Sequence, residues 1–434
     1  MRNDDKISKN IDWITVGFYA FFVLAGWLNI FAAVYNPEVS QNIFDFSINS
    51  GKQLIWIGTS VLIIILISAI DYKFYSTFSY LIYGTIITVC LITIFFGTEV
   101  KGSKSWFELG SLRIQPAEFA KFATALALAT YLGKINIRFD KWTTQLTAFA
   151  IIGLPAVLIL LQNETGTVLV FAAFILVLYR EGLSPWFLII GASAVALLVF
   201  SLMLEQQTIF IGIGVIAGLI IINILLTLQR KITRLRNVFR KIAITLGAAG
   251  VCVGVVISVN FLMNNVLQSH QKDRIIALID PESADTKGIA YQVTQSKIAI
   301  GSGEILGKGF LQGTQTKFDF VPDQSTDFIF CTIGEEQGWI GASLLIIVYV
   351  LFLMRIIFLA ERQKERFARI YGYSVASIIF IHFAINIGMT IGIFPVIGIP
   401  LPFLSYGGSS LWSFTILLFI FLKLDAHRRQ ILSH

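Results

Sequence analysis

The sequence predicts an all-α polytopic membrane protein with about twelve transmembrane helices, a large outer loop and both termini in the cytoplasm. Three observations predict it. Hydrophobic residues make up 56% of the 434 positions and charged residues only 14%, against about 25% charged in soluble domains. Several apolar runs exceed the ~18 residues that mark a transmembrane helix. The Lys and Arg residues gather in alternate segments between those runs, with about 22 of the 33 on one side. Runs of this length are helical, because a helix satisfies its own backbone in lipid.

In order, the apolar runs lie at 11–34, 52–70, 75–97, 116–133, 145–161, 166–181, 186–204, 207–228, 239–265, 336–359, 370–394 and 406–424. The first is a span rather than a removed signal, since acids and bases mix before it and no small-residue cleavage site follows. Runs 145–161 and 166–181 are short and split by Gln162-Asn163-Glu164-Thr165-Gly166, so they read as two elements or one broken one. The basic side is the cytoplasm by the positive-inside rule. That places the Arg230–Lys241 cluster inside, as a topology anchor or, less simply, a lipid-headgroup site. It places 266–335, the longest polar segment, outside. The net charge of +7 therefore reports orientation, not nucleic acid. Cys90, Cys252 and Cys331 are scattered and show neither a disulfide framework nor metal spacing.

The outer segments hold the candidate chemistry. In 101–121, Trp106, Phe107, Leu109, Leu112 and Ile114 alternate with Lys104, Glu108 and Arg113, which reads as an interfacial segment anchored by aromatics. Pro116 suits a first helical position. Glu118 and Lys121 follow at i and i+3, on one helical face, as a structural ion pair or a functional one. In the large loop, Gly301, Gly303, Gly307 and Gly309 fail the phosphate-loop spacing, so no nucleotide is implied. The glycines serve packing and turns, or bind an anion with Lys297 and Lys308. Residues 394–410 are broken by Pro395, Gly398, Pro400 and Pro402, and such backbone persists near a membrane only against protein or a wet cavity. They are expected to re-enter and line the same outer cavity as the stretch Lys317–Gly341. That stretch carries Asp319, Asp323, Asp327, Glu335 and Glu336. Asp327 stands directly before Phe-Ile-Phe, where it either caps the next helix or has a task that repays its desolvation.

Several motifs carry a resemblance in order along the chain: Q-P-A-E-F-A-K (115–121), Q-S-K-I-A-I-G-S-G (295–303), G-K-G (307–309), G-T-Q (313–315), T-D-F-I-F (326–330), G-E-E-Q-G (334–338) and P-L-P-F-L-S-Y-G-G-S-S (400–410). Together they resemble the SEDS family (shape, elongation, division and sporulation), and the last motif resembles its RodA branch more than the FtsW branch. The resemblance implies a peptidoglycan glycosyltransferase of the bacterial inner membrane that polymerises lipid II at the outer face. It also implies a class B penicillin-binding protein as partner, alongside other elongation-complex membrane proteins. The family's essential acid matches Asp327. Gln315 and Ser405 come over from their motifs as substrate-contacting residues. Relatives often have His where this chain has Ser325, and Asp where it has Glu164. Relatives usually have ten spans, so 182–241 is expected to hold an extra helix pair.

The implied reaction narrows the roles. An α-linked donor becomes a β-1,4 linkage, so one inverting displacement needs one base and positive charge on the leaving pyrophosphate. Asp327 is the candidate base, or the ligand of a divalent cation, Mg²⁺ or Mn²⁺. Arg113, Lys121, Lys297 and Lys308 are candidates for the leaving group, with Glu118 beside Lys121. A flippase or transporter of lipid-linked sugars is the rival, since many spans and a broken helix suit it too. A scaffold for cell-wall enzymes needs no acid.

Overall fold

A computed structural model describes residues 10–35, 42–100, 102–110, 112–135, 137–230, 235–265, 288–318 and 320–428. Of the expected outer loop, 266–287 lie outside the described residues, as do Asp319 and residues 231–234 of the basic cluster. The chain forms two units, Ser184–Ala290 and the rest.

The larger unit begins with α1 (Trp13–Val34), α2 (Asn49–Ala69), the short α3 (Tyr72–Thr77) and α4 (Ser79–Phe96). A small antiparallel sheet follows, β1 (Thr98–Val100), β2 (Ser103–Leu109) and β3 (Leu112–Ile114), pairing Glu99 with Lys104 and Glu108 with Arg113. The alternation read as an interfacial segment is thus the period-2 pattern of strands. Next come α5 (Pro116–Gly133), α6 (Trp142–Leu161), α7 (Thr165–Val170) and α8 (Ala173–Arg180). Runs 145–161 and 166–181 are separate helices, divided at Asn163, whose φ of 61° no helix accommodates.

The smaller unit is three helices packed on one another, α9 (Pro185–Met203), α10 (Gln206–Arg230) and α11 (Leu235–Asn265). The expected extra pair falls on α9, α10 and the first turns of α11.

The chain continues with α12 (Ile289–Ser302), α13 (Thr314–Lys317), α14 (Ile329–Glu361), α15 (Arg366–Thr390) and α16 (Gly408–His427). The polar segment before α14 therefore contains helices of its own. α14 begins seven residues before the expected 336, so Glu335 and Glu336 are helical. Gly338 then leaves helical geometry at φ 65°, ψ −165°, and divides α14 in two.

Among the described residues, nine helices are long and apolar enough to cross a membrane: α1, α2, α4, α6, α10, α11, α14, α15 and α16. This is a polytopic, almost wholly helical membrane protein. The centre of the larger unit is α5, whose Ala117, Ala120, Ala123, Ala125, Ala127 and Ala129 are buried. Small residues let neighbouring backbones approach without a hydrophobic driving force in lipid, and α4, α6, α15 and α16 all pack on α5.

Ion pairs join the helix ends that carry the basic clusters. Arg355 of α14 grips Asp12, which also caps α1 through Thr15; Arg362 grips the buried Asp425 of α16; Arg366 of α15 bonds Glu181 at 2.9 Å. Burial alone would raise the Asp12 carboxyl, but Arg355 and Thr15 outweigh it and hold it below its ordinary 3.8. Its contribution to stability is therefore complete above 3.8 and lost as pH falls through the lowered folded value. Asp12→Asn is expected to cost about 1–3 kcal/mol at neutral pH, and its melting curve should converge with wild type in that acid range. Equal melting at pH 7 would remove the pair from consideration.

Candidate active site

Asp327 sits at the end of a run of turns, not in a helix cap. The N-cap of α14 is Phe328, and that position makes no side-chain cap bond. The turns are organised by Asp323, held at φ 55°. Its carbonyl accepts from Thr326 N–H at 3.0 Å, Thr326 Oγ1 at 3.1 Å and Phe328 N–H at 3.3 Å.

Three consecutive carbonyls are then held by two neighbouring elements. The Ser325 carbonyl accepts from Tyr406 N–H at 2.9 Å, that of Thr326 from Ser405 Oγ at 2.6 Å, and that of Asp327 from Asn386 Nδ2 at 2.8 Å. Tyr406 and Ser405 belong to the segment between α15 and α16, which contains no helix over residues 391–407. That segment is pinned along its length. Asn386 also donates to the Ile399 carbonyl at 2.7 Å, His382 Nδ1 bonds the Pro400 carbonyl at 3.1 Å, and Tyr349 donates to the Pro402 carbonyl. Irregular backbone here is buried in protein, as a membrane requires. The Asp327 carboxylate is half-buried, with Oδ2 3.3 Å from where a Cβ on Gly398 would stand. From the other side, Asn49 of α2 donates to the Ser325 hydroxyl at 3.1 Å.

Beside this loop the glycine-rich segment is bound to the first turns of α14. Glu335 is fully buried; its Oε1 accepts from Lys308 Nζ at 2.7 Å, Thr314 N–H at 2.7 Å and Gln315 N–H at 2.8 Å, and its Oε2 from Thr316 N–H at 3.0 Å. Glu336 Oε1 accepts from Leu311 N–H at 3.0 Å. Gly307 and Gly338 are both in the left-handed region, and a Cβ on either would stand about 2.2–2.3 Å from backbone of the other's strand. Close approach to α14 accounts for Gly303 and Gly307, and a φ of 99° for Gly309, whereas Gly301 has open space beside it.

Glu118 and Lys121 form an ion pair at 2.8 Å, and the Lys121 ammonium also lies 2.9 Å from His382 Nε2 and 4.6 Å from the Phe414 ring centroid. Lys121 is 1% exposed, so it is enclosed rather than lining an open cavity. Glu164 Oε2 accepts from Ser103 and Ser105 hydroxyls at 2.6 and 3.0 Å, tying β2 to the turn before α7.

The remaining candidates are spread out. Arg113 is exposed and pairs with Glu108 at 2.8 Å. Lys297 is exposed on α12, with its side chain across Gly392. Gln315 keeps a buried Oε1 with no hydrogen-bond partner. Ser405 is buried and spent on Thr326 and on Leu401 N–H. The structure thus joins Ser405 to the Asp327 loop, Lys308 and Gln315 to Glu335, and Glu118 to Lys121. Among the described residues no cluster of three or more His, Cys, Asp and Glu could hold a metal ion. His382, Asn386 and Asn49 went unnoticed in the sequence, although polar side chains inside apolar runs are a signal.

The arrangement has relatives. The family model for FtsW, RodA and SpoVE, described as cell cycle protein, matches residues 12–211 and 211–430. Peptidoglycan glycosyltransferase RodA of Treponema pallidum (strain Nichols) is 33% identical over 422 residues, covering 91% of this chain and 94% of that one. Peptidoglycan glycosyltransferase MrdB of Escherichia coli (strain K12) is 31% identical over 376 residues, covering 86% and 85%. Two solved structures share the fold. One, described as "Structural coordination of polymerization and crosslinking by a peptidoglycan synthase complex", has a TM-score of 0.69 at 24% identity and covers 97% of this chain and 99% of that chain. The other, Thermus thermophilus Rod shape determining protein RodA, has a TM-score of 0.61 at 21% identity and covers 96% and 97%. With the family model matched over residues 12–430 and two relatives above 30% identity along most of their length, the chain belongs to the FtsW/RodA/SpoVE family.

Proposed function

We propose that this protein is a peptidoglycan glycosyltransferase that polymerises lipid II into β-1,4 glycan strands during rod-type elongation. The proposed site is at the outer face of the bacterial inner membrane. The observation that carries the reading is the clasp on Ser325, Thr326 and Asp327, which presents one half-buried carboxylate on a fixed backbone. The names of the relatives supply the reaction class. With α5, α9 and the α7–α8 pair added to the nine long apolar helices, the chain would cross the membrane twelve times. The Lys and Arg bias favours cytoplasmic termini.

In an inverting displacement the acceptor's 4-hydroxyl attacks the anomeric carbon opposite the pyrophosphate. Asp327 takes the hydroxyl proton as the new C–O bond forms, and the pyrophosphate leaves with the electron pair of the old one. Positive charge must meet it. Lys297 and Arg113 are exposed enough to do so, and Lys308 partly. Lys121 is held by Glu118 and His382, so we assign this pair to the frame of the site. Gln315 Oε1 is enclosed, so this residue belongs with the frame of the site beside Glu335. A divalent cation, Mg²⁺ or Mn²⁺, would be held by Asp327 and screen the pyrophosphate, with substrate oxygens and water completing its coordination.

The partner in this reading is a class B penicillin-binding protein, in keeping with the synthase-complex structure that shares the fold. Other elongation-complex membrane proteins would join it. Purified protein should convert lipid II to polymer, and faster with the partner, which shifts the population toward an active conformation. Lipid II moved across vesicle membranes without polymer would favour the transporter instead. Equal rates over a range of partner ratios would remove the activation.

A further inference from the structure

Two polar side chains interrupt the apolar surface of α15 one turn apart, His382 and Asn386, and both are fully buried. They grip consecutive carbonyls of the re-entrant segment, Pro400 and Ile399. A carbonyl only accepts, so His382 carries its proton on Nδ1, and its Nε2 receives a bond from the Lys121 ammonium at 2.9 Å. The same logic orients the Asn386 amide. Its two partners, the carbonyls of Asp327 at 2.8 Å and Ile399 at 2.7 Å, both accept. Its NH₂ group therefore faces them, and its Oδ1 is left buried without a hydrogen-bond partner. Burial alone would call for an apolar residue here, because an unsatisfied buried oxygen is unfavourable. The fold keeps an amide whose two donors join the Asp327 loop to the segment its carboxylate faces.

We propose that Asn386 is a positioning residue for Asp327. The inference rests on the assignment of Asp327 as base or cation ligand. By fixing the Asp327 carbonyl, Asn386 sets the backbone from which that carboxylate projects. By fixing Ile399, it sets the position of the adjacent Gly398, against which the carboxylate lies. His382 holds the next carbonyl from the same helical face, so the segment cannot slide along α15. Ser405 and Tyr406 fix the two preceding carbonyls of the loop, and Asn386 is the member that fixes the reacting residue itself.

The test is lipid II polymerisation by the full-length purified protein, with kcat and KM measured from about pH 5 to 9. Asn386→Leu keeps the branched shape at a larger volume and removes both donors. It is expected to lower kcat about tenfold to a hundredfold, the scale of a small misplacement, with KM nearly unchanged. Asn386→Asp is nearly isosteric and donates one bond only while its new carboxyl is protonated. Its kcat relative to wild type should therefore fall as pH rises. The titratable groups around the position are Asp327 on the loop, His382 on the same helix, Glu118 and Lys121 on α5, and Lys297 on α12. A new carboxylate also shifts the titration of these neighbours by charge, so each pH is compared with the uncharged Asn386→Leu as well as with wild type. A packing role predicts that Asn386→Asp follows wild type at every pH, and that result overturns the proposal. Wild-type kcat in Asn386→Leu does the same. So does failure of both variants to fold, since the contact would then serve stability; if one folds, that one decides. Asp327→Asn, run alongside, separates the two levels. Full activity there sinks the assignment of Asp327, whereas a dead Asp327→Asn beside an unaffected Asn386→Asp sinks only the positioning role.

Discussion

Asp327→Asn should give a folded protein that fails to polymerise lipid II, with a rate loss of at least about 10²–10⁴-fold, the range for one general base. Asn keeps the shape of the side chain and removes only the charge and the capacity to take a proton or hold a cation. Helix capping gives no competing explanation, because the α14 cap is Phe328. The substitution also leaves untouched the loop bonds made by the backbone carbonyls of Ser325, Thr326 and Asp327. Asp323→Asn is the matched control. Asp323 organises the turns through its carbonyl at φ 55°, a conformation Asn adopts as readily as Asp. It should stay active. If proton transfer dominates, added Mg²⁺ or Mn²⁺ leaves Asp327→Asn dead; if cation binding dominates, high concentrations restore part of the rate. Retention of more than about a tenth of the wild-type rate, less than the smallest loss expected for a base, would take Asp327 out of the chemistry.

The geometry also sets Glu335 and Glu336 apart from Asp327, which the sequence did not. Five acids fall between Lys317 and Gly341, and their order says nothing about which is available. Glu335 has both oxygens occupied by backbone and side-chain donors, and Glu336 is 2% exposed. What was legible was what local pattern dictates: the apolar runs, the Pro116 start of α5, the Glu118–Lys121 pair at helical spacing, and the broken backbone after α15. What was not legible depends on contacts distant in sequence. Asn386 lies 59 residues from Asp327 and His382 18 from Pro400. The early start of α14 was hidden because Glu335 and Glu336 resemble loop residues until the donors that neutralise them are seen. The sheet at 98–114 was hidden for another reason. Alternation of aromatics with charges suits a membrane surface as well as a strand.

The second large effect is expected at Glu335. Its carboxylate is the anchor of residues 308–316, accepting three backbone N–H groups and the Lys308 ammonium while fully buried itself. Glu335→Gln keeps the volume but replaces one oxygen with an amide. Whichever way the amide turns, an NH₂ group meets at least one N–H group, and Lys308 loses its counter-charge. Removing one member of a buried pair costs about 3–5 kcal/mol, a large share of the roughly 5–15 kcal/mol that separates folded from unfolded domains. Thermal melting in detergent should show a clear drop, and polymer formation should fall with it, because this anchor stands two turns along α14 from the Asp327 loop. The variant Glu335→Gln with Lys308→Met distinguishes charge from shape. Removing both charges leaves no unpaired ion, so the double variant should melt above Glu335→Gln alone, the sign of coupling in a double-mutant cycle. If Glu335→Gln melts with wild type, Glu335 is not the anchor. If the double variant melts below the single one by the full effect of Lys308→Met, the two side chains act independently and the ion pair contributes nothing to holding the loop.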